Sequence, residues 1–304
     1  MTVFYFLLGL IGLVAGGELL VRGASAIART FNLSPLLIGL TIVGFGTSAP
    51  ELIVAIQAAL AGQPGIAIGS VIGSNISNIL LILGVSALIA PLVIPVRKLW
   101  RDLGFMLAAT AALWMMLGDG QISRLNGFLL LVGLAAFLTT AFLAGRGQPP
   151  EQASPRSGPS WLPWAMTGAG LLLLVVGADL LVDSATTIAR EFGISEAVIG
   201  LTIVAVGTSL PELATSVVAA LRRQTEISVG NVIGSNIFNI FGILGVTAMI
   251  SPIPAEARFA ATDMWWVAAA AVGLTLIAVF LGGLPRKAGL ALLAAYGTYL
   301  LLIG

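Results

Sequence analysis

The chain alternates long apolar stretches with short polar knots, and the stretches have the lengths of membrane-crossing helices. Apolar runs occupy 3–28, 35–60, 66–90, 100–117 and 124–144, and then 161–189, 196–221, 227–250, 262–281 and 287–303, ten in all. A helix crosses the hydrocarbon with about 20 residues, so each run is read as one span. Barrel strands would alternate apolar and polar residues, which these runs do not, and the expected class is an all-α polytopic membrane protein. The first run, MTVFYFLLGLIGLVAGGELLV, lacks a basic leader and stays apolar too long for a cleaved signal, so it reads as a retained first span. The one stretch rich in Pro, Gly, Ser and charge, GRGQPPEQASPRSGPS at 145–160, reads as a cytoplasmic linker between 1–144 and 161–304.

The pattern is doubled. Shifted by 161 positions, GLTIVGFGTSAPEL falls on GLTIVAVGTSLPEL and GSVIGSNISNI on GNVIGSNIFNI, without a gap. From Gly39 to Ala87, 30 of 49 positions are identical, far more than shared composition produces. Five spans, an odd number, precede the second copy, so the halves are expected to insert as inverted five-helix repeats. Loop charge tests this separately. One side collects Arg22, Arg29, Arg97, Lys98, Arg101, Arg146, Arg156, Arg222, Arg223, Arg286 and Lys287, and the other only Arg124, Arg190 and Arg258. The basic side is expected to be cytoplasmic, which puts both termini outside.

Composition agrees and removes several chemistries. Of 304 residues 58% are hydrophobic and 9% charged, against roughly 25% charged in soluble domains. Without cysteine or histidine there are no disulfides, thiolate or imidazole metal sites, or imidazole proton relays. A net charge of +1 gives no field for nucleic acid, and no protein partner is evident; the surroundings are the lipid bilayer.

Within the spans the ionisable residues are read as Glu18, Asp179 and Asp183 near ends, and Glu51 and Glu212 near mid-depth. A carboxylate at mid-membrane costs roughly 2.5–3.5 kcal/mol on permissive scales, and such residues face ion or substrate pathways. The competing reading is a protonated glutamate bonded between helices as glue. It fits poorly with a motif that recurs at a symmetric position with the same polar neighbours. Pro50 and Pro211 each remove a helical hydrogen bond and push aside the carbonyl four residues earlier. The carbonyls of Gly44, Thr47, Ala205 and Thr208 and the hydroxyls of Ser48 and Ser209 are then expected around a carboxylate, as in unwound transporter helices. Ser74 and Asn78 share one helical face, as do Ser235 and Asn239, while Asn75 and Asn236 are expected to point elsewhere. Gly69/Gly73 and Gly230/Gly234 read as close-packing glycine pairs. Two carboxylates with neutral oxygens describe a hard-cation site: Ca²⁺ takes 6–8 oxygens, and several Na⁺ could share the same atoms. A hydrolytic enzyme is excluded, because Ser48 beside Glu51 has no histidine or lysine to activate it.

These paired motifs, GTSAPE with GSVIGSNISN and GTSLPE with GNVIGSNIFN, resemble the α-repeats of the calcium/cation antiporter superfamily, in its prokaryotic sodium/calcium exchanger branch. The resemblance covers essentially the whole chain. It implies ten helices in two inverted repeats and an antiporter of a prokaryotic cytoplasmic membrane that needs no cofactor. Glu51 and Glu212 would bind both Ca²⁺ and Na⁺, with backbone oxygens of Thr47 and Thr208 completing the Ca²⁺ site. Ser48, Ser74, Ser209 and Ser235, with the carbonyls of Gly44 and Ala205, would complete flanking Na⁺ sites. The family's usual exchange is three Na⁺ for one Ca²⁺, with the first helix of each repeat sliding across the core. Some relatives carry aspartate where this chain has Asn239; asparagine at both Asn78 and Asn239 resembles potassium-independent members. The alternative is an H⁺-coupled Ca²⁺ or other cation antiporter, although proton-coupled relatives usually carry a further acidic residue in the second motif.

Overall fold

The computed structural model describes residues 1–94, 96–145, 159–193 and 205–303, almost all of them helical. In chain order the helices are α1 (Thr2–Phe31), α2 (Pro35–Thr47), α3 (Ala49–Leu60), α4 (Pro64–Ile89), α5 (Val96–Gly118) and α6 (Arg124–Gly145). They continue with α7 (Leu162–Glu191), a short turn at Ala205–Gly207, α8 (Leu210–Leu221), α9 (Thr225–Ile250), α10 (Phe259–Leu281) and α11 (Arg286–Ile303). Most of the expected linker, with Arg146 and Arg156, and residues 196–204 of the seventh expected span lie outside the described residues. Among the described residues, six helices are long and apolar enough to cross a membrane, or seven with the bent pair α2–α3 taken as one. This is an integral membrane protein.

Burial sorts the helices into centre and rim. In their most apolar stretches α4 and α9 bury 72% and 78% of residues, whereas α1 and α7 bury 28% each. The apolar outer faces of α1 and α7, with Phe4, Ile11, Leu172 and Val176 exposed, suit contact with lipid. Glycine brings these two rim helices together. A Cβ on Gly16 would lie 2.8 Å from the Leu174 nitrogen, and one on Gly170 would lie 2.5 Å from the Leu20 nitrogen. No side chain fits at either position, so the backbones touch.

The halves interlock rather than sit side by side. Strand Leu92–Val93 pairs antiparallel with Gly283–Leu284, and Gln121–Ile122 pairs with Ile253–Pro254, each joining a loop of the first half to one of the second. Two helix crossings repeat the exchange. A Cβ on Gly127 of α6 would lie 2.9 Å from the Gly245 carbonyl of α9, and one on Gly289 of α11 would lie 2.8 Å from the Gly84 carbonyl of α4. Gly230 packs on Leu36 and Gly39 of α2, as expected for a packing glycine, and Gly234 lies against Leu40. Gly200 and Leu201, the counterparts of Gly39 and Leu40, lie outside the described residues.

One expectation is corrected. Asp102 and Asp263, which the hydropathy pattern left at span ends, lie inside helical segments and are buried, and they match each other under the 161-residue shift. Asp102 is neutralised by Arg101 Nε at 2.8 Å, while the Arg101 guanidinium also donates to the Thr140 carbonyl at 2.8 Å. Asp263 faces Arg258 at 3.4 Å. Because each charge is matched locally, α5 starts before its apolar run does.

Candidate ion-binding site

The site forms where two broken helices meet two continuous ones. Between α2 and α3 the axis bends by 44°, and Ser48 at the break has φ −86° and ψ 10°, outside helical geometry. In the second half Ser209 has φ −89° and ψ 5°. Pro50 and Pro211 follow by two residues, where the missing N–H falls in the first turn of the next helix and costs no bond. Each break therefore leaves its glutamate in the first turn of a helix, the end where a negative charge is favoured.

Glu51 and Glu212 are both fully buried. Ser48, from the first break, donates to Glu212 Oε1 at 2.8 Å, so the two halves share the carboxylate. The remaining carboxylate oxygens, Glu51 Oε1 and Oε2 and Glu212 Oε2, have no hydrogen-bond donor among the described residues. Asn78 Oδ1 and both polar atoms of the Asn239 side chain are in the same condition, and all are buried. Uncompensated buried oxygens of this kind are costly in a protein interior, and several facing one place are a hard-cation coordination sphere in waiting.

Further bonds cross between the halves. Ser209 Oγ lies 3.4 Å from Ser74 Oγ, Ser235 Oγ donates to the Gly44 carbonyl at 3.2 Å, and Asn78 Nδ2 donates to Asn236 Oδ1 at 3.2 Å. Thr47 is buried and its hydroxyl reaches the Val43 carbonyl at 3.0 Å. Thr208 is only half-buried and lines a cavity of 260 Å³ with Pro50, Pro211, Asp179 and Asp183. Ala205 begins the described part of the second broken helix, so its backbone stands beside the break as expected. Of the expected residues, Ser48 and Glu212, Ser74 and Ser209, and Gly44 and Ser235 are thus brought into contact across the two halves.

Three features were not read from the sequence. Asn236 does not point away; it backs Asn78 and lies against Met106 Sδ at 3.9 Å. Asn231 bonds to residues of both halves, and its position on the face of Ser235 and Asn239, at steps of four, was a signal available in the sequence. The helices also widen into π-turns at Asn78–Ile82 and Phe238–Leu244, and such turns recur at functional sites.

The model of the family described as sodium/calcium exchanger protein matches residues 1–143 and 162–304. The chain belongs to the sodium/calcium exchanger family. It is 33% identical to the sodium/calcium exchanger MaX1 of Methanosarcina acetivorans, over 81% of this chain and 82% of that protein. It is 41% identical to the inner membrane protein YrbG of Escherichia coli, over 81% and 79%. The fold superposes on a solved structure of the sodium-calcium exchanger NCX_Mj with a TM-score of 0.87 and 36% identity, covering 100% of this chain and 99% of that one. Membership makes the chain a transporter rather than an enzyme.

Proposed function

We propose that the protein exchanges Na⁺ for Ca²⁺ across the cytoplasmic membrane by alternating access, three Na⁺ per Ca²⁺ and without K⁺. The observation that carries this is the shared, fully buried pair Glu51 and Glu212, one from each broken helix, with three carboxylate oxygens free of donors. A charge of −2 balances one Ca²⁺, and the same carboxylates divided among Na⁺ ions make the two cargoes exclude each other. Ca²⁺ takes the carboxylates with the carbonyls of Thr47 and Thr208. Na⁺ takes flanking positions at Ser48, Ser74, Ser209 and Ser235 with the carbonyls of Gly44 and Ala205. Asn78 and Asn239 add neutral oxygens. With no third carboxylate in the core, nothing calls for K⁺, and exchanging three positive charges for two makes the cycle electrogenic.

The same reading has ten helices in two inverted repeats, 1–144 and 161–304, joined by a cytoplasmic linker, with both termini outside. Contacts between loops support it. Lys98 meets Glu226 and Arg286 donates to the Leu88 carbonyl, each pair lying at the cytoplasmic ends of spans in that topology, and Arg222 reaches Glu18 midway along α1 from the end of α8. Arg22 joins Arg222 on Glu18 and so belongs to the same face.

Repeat-related positions also report which side is open. On the outer side, the 260 Å³ cavity separates α7 from Pro50 and Val54 and reaches Thr208 and Pro211. On the inner side Gly17 and Val21, the counterparts of Ala178 and Val182, are packed in, while Val14 and Glu18, those of Val175 and Asp179, border a cavity of 670 Å³ with Val218 and Arg222. Gly17 packs against the Ala214 carbonyl, Val21 is fully buried, and Glu18 is clamped by Arg22 Nε and Arg222 Nε, each at 2.5 Å. On this reading the Thr208 side is the open one, and the contact of Arg222 with Glu18 is the inner latch. Arg22 lies one turn along α1 itself, so only the Arg222 pair joins two elements; an exposed pair is worth about 0.2–1 kcal/mol, and Glu18→Gln should shift access inward by up to about fivefold. The cysteine-free chain allows a direct reading: Val54→Cys should label more slowly with an impermeant maleimide from outside in the Glu18→Gln background. Unchanged labelling would remove the latch.

The function itself is tested by Ca²⁺ flux into proteoliposomes under separate Na⁺, K⁺ and H⁺ gradients. A Na⁺ gradient at constant pH should suffice, K⁺ should add nothing, and the flux should respond to membrane potential. Flux driven only by a pH gradient would instead establish H⁺-coupled cation antiport.

A further inference from the structure

We propose that Asn231 is a positioning residue that keeps the Gly44 carbonyl available to Na⁺, and thereby makes the two halves of the site inequivalent. Asn231 is fully buried on α9. Its amide nitrogen donates to Ser216 Oγ at 2.9 Å and to the Glu212 backbone carbonyl at 3.3 Å. A carbonyl only accepts, so the amide orientation is fixed and Oδ1 must face Thr47 Oγ1, at 3.2 Å.

The Thr47 hydroxyl has one proton and three acceptors in reach: the Val43 carbonyl at 3.0 Å, Asn231 Oδ1 at 3.2 Å and the Gly44 carbonyl at 3.3 Å. Gly44 is already crowded, because its carbonyl also meets the Ser48 N–H at 3.3 Å and Ser235 Oγ at 3.2 Å. Three donors compete there for two lone pairs, and a cation would have to displace them. Asn231 offers the Thr47 proton another acceptor and so lowers that competition. At the equivalent place in the first half, Ser70 is too short to bridge, and its hydroxyl turns back to the Ala67 carbonyl at 3.1 Å. Asn231 also ties the first turn after one break, at Glu212, to the last residue before the other, at Thr47. Among the described residues of the first half, none does both.

This rests on the proposed Na⁺ role of the Gly44 carbonyl. The test is half-saturating Na⁺ and Ca²⁺ for exchange by the full chain in proteoliposomes, for wild type, Asn231→Ala, Thr47→Val and the double variant, with melting temperatures in parallel. Asn231→Ala should raise half-saturating Na⁺ about tenfold and half-saturating Ca²⁺ less than about threefold, the loss expected of one buried hydrogen bond. In the Thr47→Val background the same substitution should change Na⁺ dependence less than about twofold, since no proton is left to relocate. Equal shifts for both ions, or a full Na⁺ shift that survives in Thr47→Val, would overturn the assignment. Should Asn231→Ala not fold, Asn231→Ser, which copies the first half, carries the same readings. If the wild type shows no Na⁺-dependent Ca²⁺ flux, it is the exchange reading that fails, independently of Asn231.

Discussion

Glu51→Gln and Glu212→Gln should each abolish Ca²⁺ exchange while leaving a protein that inserts and purifies normally. The isosteric amide keeps the volume and one carbonyl oxygen but removes half of the charge that balances the cation. Removing one partner of a buried charge pair costs about 3–5 kcal/mol, which is roughly two to four orders of magnitude in affinity. The variants should not be less stable without ions, because three carboxylate oxygens have no protein donor to lose. Radiolabelled Ca²⁺ uptake measures the loss, and calorimetric Ca²⁺ titration in detergent locates it in binding. Near-normal transport in both variants would return the glutamates to the role of neutral glue.

A comparably large effect is expected from Gly170, which touches no ion. Its Cβ would strike the Leu20 backbone nitrogen at 2.5 Å, so Gly170→Ala forces α1 and α7 apart and Gly170→Val does so further. Overpacking of this kind costs about 1–3 kcal/mol, concentrated here on the contact between the two rim helices. In the proposed cycle these helices slide together over the core, and a wedge between them uncouples the pair. Exchange should fall about tenfold for alanine and more for valine, while Ca²⁺ titration stays within about threefold of wild type. A loss of binding equal to the loss of transport would mean that α1 and α7 help to build the site rather than move across it.

How much of this could be read beforehand depends on whether a residue's role is written in spacing or in contacts. Pro50–Glu51 and Pro211–Glu212 were legible because proline and glutamate are each expensive in lipid, and their coincidence twice, 161 apart, leaves few explanations. Asn78 and Asn239 were legible from helical spacing. Asn231 has the same spacing, but comparing the repeats sets it against Ser70 and makes it look like a tolerated difference. The π-turn at Asn78 leaves no composition signal: its residues, NILLI, would serve an ordinary helix. Phe45 stacks on Phe238 with ring centroids 4.2 Å apart, yet their repeat counterparts are Val206 and Ser77, so that contact too was invisible to internal comparison. Asp102 was missed for an electrostatic reason, since hydropathy counts a neutralised Arg101–Asp102 pair as two charges. The symmetric chemistry was legible, and the departures from symmetry needed coordinates.

The crossed loop strands have a bearing on how such a chain comes to exist. Under the repeat, Leu92–Val93 corresponds to Ile253–Pro254, and Gln121–Ile122 falls within one residue of Gly283–Leu284. The two strand pairings are thus one interaction made twice, as are the crossings of Gly127 on Gly245 and Gly289 on Gly84. In the proposed topology a lone half would present both strands of that interaction at opposite membrane surfaces, with neither able to reach the other. An upside-down copy of itself would satisfy both. In that topology each half is the other's missing partner, and the single chain holds together what two separate halves would have to find as an antiparallel pair.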